Sequence, residues 1–257
     1  MASVAKELGY SGTIESIYTV NHQDIINWTN YFHERMNEKE IFKKFTENLP
    51  KDIDTASIVA TGWHVFSTFM TQFLCQAAAM VSNNLARHYV IQTAFEELGM
   101  RDSAQIHPDL FWEAAKSIGI TVHESVKKEN SMITASLSNL KSSLLSYTSD
   151  MQIFGVLLGL EIPAIENIET VFSSMAYNEN AKMALEKDIF FILHREIEVE
   201  HVRLTVSNFL RFQKSKKDVD DFIFGFTDGI KFWNDYWAAM KFYVINLSQS
   251  KAQLGKE

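Results

Sequence analysis

Phe190-Phe191-Ile192-Leu193-His194-Arg195-Glu196-Ile197-Glu198-Val199-Glu200-His201 is the stretch from which the fold class follows. On an α-helix each residue turns about 100°, so His194, Glu198 and His201 fall within about 60° of one another. Phe190, Phe191, Ile197 and Leu204 share or border that stripe, whereas Glu196, Glu200 and Arg203 lie on the opposite side. The expectation is a helix with two imidazoles and a carboxylate turned toward the core. An ionised carboxylate is costly to bury without a partner, and no Lys or Arg shares the stripe. Three ligand-type residues at offsets 0, 4 and 7 point to a metal site completed from facing helices. A hydrogen-bonded His–Glu network is the alternative.

Outward from this stretch, helical periodicity recurs along the chain. Residues from about Gln23 to Leu49 read as one or two helices stopped by Pro50. Asp52 or Asp54 is placed to cap a long helix that runs to Leu98, with a break near Ser82–Asn84, and Gly99 ends it. Pro108 suits a first helical turn, and that helix continues to Ser117 and stops at Gly119. Further helices are expected from near Val122, from about Ile133 into the 170s, from Ala181 to about Lys214, and from Val219 to Ser248. Only 3 Pro and 10 Gly among 257 residues agree with an all-α bundle of about seven helices forming a single domain over 1–257. Residues 1–20 read as a flexible or peripheral N-terminal segment.

Composition excludes several classes. A net charge of −8 argues against a nucleic-acid partner, since phosphate binding needs clustered Lys and Arg. One cysteine leaves no disulfide framework and no Cys-rich metal site. Met1–Tyr10 carries Lys6 and Glu7 and no apolar run, so it is not a signal peptide, and a cytoplasmic location is expected. The stretch from Ala56 to Ala86 has no charged side chain of the Asp, Glu, Lys or Arg type, yet it carries many Ser, Thr, Gln and Asn. It reads as a buried bundle helix and not a membrane span.

Facing ligands are available. Glu161 sits within the apolar stripe of Phe154, Leu157, Leu158, Ile165 and Ile168, while Glu166 and Glu169 are rotated off it. Pro163 would clash with the carbonyl of Gly159, so that glycine is expected to ease a local kink. His107 is in line with Leu110, Phe111, Ala114 and Ile118, which brings it to the core edge at the start of its helix. Glu96 and Glu97 are both candidates, and periodicity does not choose between them.

The order Glu97-Leu98-Gly99, His107-Pro108-Asp109-Leu110-Phe111, an inward Glu161, and His194-x3-Glu198-x2-His201 resembles the haem-oxygenase-like di-iron oxidases and oxygenases. These are relatives of the TenA and PqqC proteins and of the chlamydial CADD protein. The resemblance runs from about Asn84 to Leu210 and implies a haem-oxygenase-like helical bundle. It also implies a ligand set of Glu97, His107, Glu161, His194, Glu198 and His201, with Glu97 taken over Glu96. The chain departs from the family in having Glu198 where many members carry Asp, and in the short step from Glu161 to Pro163.

What the resemblance implies is a pair of Fe ions, with Mn as a possible substitute, that activates O2 through a peroxo-diferric species. The implied partners are O2, an electron donor and a small amphipathic organic substrate such as an amine, an amino acid or a fatty-acid-like molecule, with a homodimer as the assembly. Phe111, Trp112, Phe154, Phe190 and Phe191 share or adjoin ligand stripes and are the expected pocket lining. Competing readings are a ferritin-like iron protein, which lacks the second Glu-x-x-His it would need, and a metal-free TenA-like hydrolase using Cys75. Cys75 reads as an inert core thiol in its apolar setting. Haem binding through His22 or His33 rests on fold analogy alone.

Overall fold

The computed structural model describes Phe45 and residues 49–254. The expected N-terminal segment 1–20, nearly all of the helical region from Gln23 to Leu49, and His22 and His33 lie outside the described residues. Within them the chain is all-α, with no strand.

Helix α1 (Ile53–Met80) starts where the Asp52 carboxylate accepts from the backbone N–H of Thr55 at 2.8 Å. Its residues Ala56, Ile58, Val59 and Ala60 are completely buried, so the uncharged stretch is core. Helix α2 (Asn84–Glu97) follows a break at Val81–Asn83, where Asn83 caps the new helix and Asp150 accepts from Ser82 N–H. Gly99 adopts φ +79°, a conformation open to glycine, and turns the chain toward α3 (His107–Ser117), whose first turn contains Pro108. A short α4 (Glu124–Lys127) leads into α5 (Met132–Ser146).

Two expected helices are divided. The run from Ile133 into the 170s is α5, α6 (Asp150–Glu161) and α7 (Ala164–Met175). Ser149 and Gln152 form a capping box that starts α6 afresh, and Pro163 ends it. The run from Ala181 to Lys214 is α8 (Glu179–Leu185) and α9 (Ile189–Phe212), separated by Asp188, whose carboxylate caps α9 at the Phe190 N–H. In both cases a short polar stretch, Ser146–Asp150 or Glu186–Asp188, carries the cap that divides the helices. Helix α10 (Lys216–Leu254) is longer than expected. The segment Asp150–Met175 is long and apolar enough to cross a membrane, but 78% of its most apolar window is buried inside the fold.

Helices α6 and α10 cross at backbone contact. A Cβ at Gly155 would fall on the Phe222 carbonyl, and one at Gly225 on the Gln152 carbonyl. A Cβ at Gly159 would lie 2.6 Å from the Phe226 oxygen, and one at Gly229 2.9 Å from the Gly159 Cα. The chain breaks at Pro163 as expected, and Gly159 in addition serves this crossing, as Gly225 and Gly229 do. Trp233 donates its indole N–H to the Leu160 carbonyl at 3.2 Å, and Trp237 donates to Asn167 Oδ1 at 2.8 Å. These bonds fix α10 against the end of α6 and the start of α7, where Glu161 emerges.

Candidate metal centre

Four helices deliver side chains to one buried point. Glu97 is the last residue of α2, His107 the first of α3 and Glu161 the last of α6, while His194, Glu198 and His201 lie on successive turns of α9. The break after Glu97 and the proline after Glu161 both release the backbone immediately beyond a carboxylate. Both acids thus stand at helix C-termini, where the helix dipole already makes the potential negative and favours a cation.

The structure brings the six residues together. One ligand atom each from Glu97, His107 and His194 lie within 4.8 Å of one another, and the same holds for Glu97, Glu198 and His201. Glu97 Oε2 is 3.1 Å from His107 Nδ1. His201 Nδ1 lies 3.5 Å from Glu198 Oε2 and 3.6 Å from Glu161 Oε2. The His107 and His194 rings meet edge-on at 4.6 Å. Neither Glu161 nor Glu166 belongs to a trio, but Glu161 reaches His201, while Glu169 accepts from Arg195 Nε at 2.7 Å.

The periodicity left Glu96 and Glu97 undecided, and both carboxylates reach the site. Glu96 Oε2 is 3.1 Å from His201 Nε2, and Gln92 Nε2 donates to its other oxygen at 3.1 Å. With His201 Nδ1 facing the ligand cluster, Nε2–H donates to Glu96. This is the carboxylate–histidine arrangement that orients metal-bound imidazoles. At His194 the Phe190 carbonyl can only accept, so Nδ1–H donates to it at 2.8 Å and the lone pair stays on Nε2. Sequence reading missed the role of Glu96; the signal available was a second acid beside Glu97.

The donor set fits divalent cations. His107 Nδ1 and Glu198 Oε2 are buried without an aligned hydrogen-bond partner among the described residues. Four carboxylates counting Glu96 face three imidazoles, and no Lys or Arg lines the adjoining cavity. Protonation in the metal-free site shows the strain. Burial pushes the Glu198 carboxyl up to about 8, with the Glu161 and Glu97 charges adding to it. Burial opposes charge on His201, yet Glu161, Glu198 and Glu96 together raise it well above the usual imidazole value. Burial lowers His194 to about 4. Burial alone would raise Glu97, but the His107 imidazole, supported by His194 and His201, holds it near 2.

A family model of iron-containing redox enzymes matches residues 61–234. The chain belongs to this family. The match spans all six clustered residues. Two crystal structures of a CADD-like protein of unknown function from Nostoc punctiforme share the family fold with it. One has TM-score 0.70 at 13% identity, covering 87% of this chain and 98% of that one. The other has TM-score 0.68 at 14% identity, covering 87% and 95%. No curated protein sequence matches the chain.

A small cavity of about 70 Å³ adjoins the cluster. Of the expected lining residues, Phe190 is in its wall. The other four are placed elsewhere, which corrects that expectation. Phe111 packs edge-on against Phe190 at 5.0 Å, Phe191 against Phe172 at 5.4 Å, and Trp112 stacks on His64. Phe154 borders a separate, smaller cleft on the far side of Glu161. They share stripes with ligands but sit a layer further out. The wall comes instead from α1, through Trp63, Phe66, Ser67, Met70 and Leu74. Their spacing of three and four was legible, but nothing in α1 is a metal ligand to draw attention to it. Cys75 is exposed and outside the cavity, so it is neither a core thiol nor part of this site.

Proposed function

We propose that the chain is a non-haem di-iron oxidoreductase that activates O2 to oxidise a small organic substrate held in the cavity beside the cluster. The observation that carries this reading is the pair of ligand trios sharing Glu97. One carboxylate with two oxygens, common to two sets of donors, suits two cations held close together. Glu97, His107 and His194 would hold one ion. Glu198 and His201 would hold the other with the same Glu97, and Glu161 reaches the same His201 nitrogen as Glu198. Imidazole and carboxylate donors suit iron or manganese. When bound, two ferrous ions supply the electron pair needed to reduce O2.

The protein's own residues do the rest. Phe190 covers the His194 ring at 3.9 Å, and Leu160, Ile168 and Trp233 surround the approach, which keeps water from the reacting volume. His194 and His201 are held in fixed tautomers by Phe190 and Glu96. The electron donor, the substrate's reacting atom and a homodimeric assembly belong to the proposal as expectations from the family.

Anaerobic titration with Fe(II) tests the reading. About two irons per chain are expected, followed by O2 uptake on mixing with air. His194→Ala and His201→Ala should each retain about one iron while circular dichroism stays helical. A wild-type chain that folds and takes up no iron or manganese at any loading removes the reading. Assembly into a large closed shell that accumulates many irons per chain would favour the ferritin-like alternative.

A further inference from the structure

Helix α2 lacks the charged outer face of an ordinary surface helix. Its inward side is Ala86, Val90, Thr93 and Ala94, all buried against the bundle. The opposite side presents His88, Ile91, Phe95 and Leu98, four exposed residues at steps of three, four and three. Ile91 is 49% exposed and Phe95 46%. Just beyond the helix end, Met100 is held at φ +55°, a costly angle for a residue with a Cβ, with its side chain 59% exposed. Between Asn84 and Phe95 the only Asp, Glu, Lys or Arg is Arg87, whose guanidinium is turned back onto the Val81 carbonyl and Asn84. Glu96 and Glu97 reach away from the stripe, to His201 and His107. A helix that is apolar on both sides is one that is covered on both sides. Helices α1 and α9 cover the inner side, and the outer stripe stands in solvent in the single chain.

Charge and spacing both bear on what covers it. The chain carries −8, so most pairs of like faces would bring acids together, whereas this stripe opposes none. The spacing is also palindromic: Ile91 and Phe95 stand two residues either side of Thr93, and His88 and Leu98 five. A second copy laid antiparallel about a two-fold axis beside Thr93 sets Ile91 against the partner's Phe95 and His88 against the partner's Leu98. Steps of three and four are those of helices packed side by side at a shallow angle. We propose that the outer stripe of α2 is the two-fold interface of a homodimer, lying antiparallel on the α2 of a second copy. This gives a surface to the homodimer in the reading above and does not depend on its metal. Since Glu96 and Glu97 leave α2 away from the stripe, the two clusters lie back to back across one pair of helices.

Sedimentation of the full chain over a range of concentrations tests this. Wild type is expected to be dimeric at about 10 μM, and Phe95→Glu or Ile91→Glu to weaken the dimer about 100-fold or more, because each buries a charge at the interface. Both positions are exposed in the single chain, so circular dichroism should stay helical. Ile223→Glu, at an exposed position on α10, should leave the dimer unchanged. In the double variant Ile91→Glu, Phe95→Lys, antiparallel packing sets the acid of each chain against the base of its partner, and most of the dimer should return. A dimer that survives both single substitutions overturns the inference, as does a double variant no tighter than the single ones. So does a wild type that stays monomeric to about 100 μM. Maleimide labelling of the Cys75→Ser, Phe95→Cys variant then names the other occupant: a protected thiol means another segment of the same chain, and a reactive one a different protein. Iron is titrated separately. A monomeric wild type that binds about two irons per chain rejects only this inference, and a dimer that binds none rejects only the di-iron reading.

Discussion

Glu96 shows how much one side chain outside the ligand set can contribute. His201 is almost completely buried and stands between acids on both of its nitrogens. If Nδ1 serves as a ligand, the proton must stay on Nε2, and the 3.1 Å contact to Glu96 holds it there. Glu96→Ala is therefore expected to weaken one of the two metals by about 10–100-fold and leave the other unchanged. Glu96→Gln, whose amide oxygen still accepts, should recover most of the loss. Competitive Co(II) titration reads both, together with the d–d bands that report the ligand field at the affected ion. Equal affinities for both ions in Glu96→Ala and wild type would show that Glu96 is only a structural acid. The adjacent acid, Glu97, faces the other way, into both trios. Periodicity could not separate the two because both matter, one on each side of the His201 ring.

At the scale of helices, the site depends on how closely α10 lies against α6. Gly155 and Gly159 on one helix meet Gly225 and Gly229 on the other, and the atoms opposite them are backbone, which cannot swing aside. Gly155→Ala or Gly225→Ala should lower the stability by about 2 kcal/mol or more, measured by urea unfolding. Gly62→Ala should cost less, because a Cβ there meets the movable end of Met240. Equal losses at all three would show that lost flexibility, and not the crossing, sets the cost. This crossing also marks the limit of what a single sequence discloses. The His194, Glu198 and His201 stripe was legible because all three lie on one helix with a fixed period. Glu161 was legible as an inward acid, yet the crossing served by its neighbour Gly159 was not, since that contact lies in a partner helix that the sequence does not identify. The cap at Ser149 was written as Ser-x-x-Gln in the polar stretch Ser146–Asp150, but helical periodicity resumes on both sides of it, so one helix was read where there are three. The cavity wall on α1 had the right spacing and no chemistry to mark it.

For the whole molecule, the cluster links folding, protons and metal. Glu198 has a carboxyl near 8 in the folded, metal-free chain against an ordinary value of 4.5, and His201 is likewise raised above 6.5. Between those limits the native state binds more protons than the unfolded chain, so stability contributed by these groups is present at low pH and declines as the pH rises, from 4.5 to about 8 for Glu198 and from 6.5 upward for His201. His194 acts in the opposite sense: its value near 4 means that acid below about 6.5 begins to favour the unfolded chain. The metal-free protein should accordingly be most stable in mildly acid solution, and Glu198→Gln should flatten the alkaline decline. Metal reverses the requirement. A divalent ion at Glu198 and His201 needs both deprotonated, so loading at pH 7 must expel what they hold. About two protons per chain are expected from wild type, and about one from Glu198→Gln, read with an indicator dye in weakly buffered solution during anaerobic Mn(II) addition. Because the ion replaces those protons, the melting temperature of the loaded chain should rise with free metal concentration and lose its alkaline decline. Metal uptake with no proton release at pH 7 would mean that the ion sits away from His201 and Glu198, and that the two trios around Glu97 are not its site.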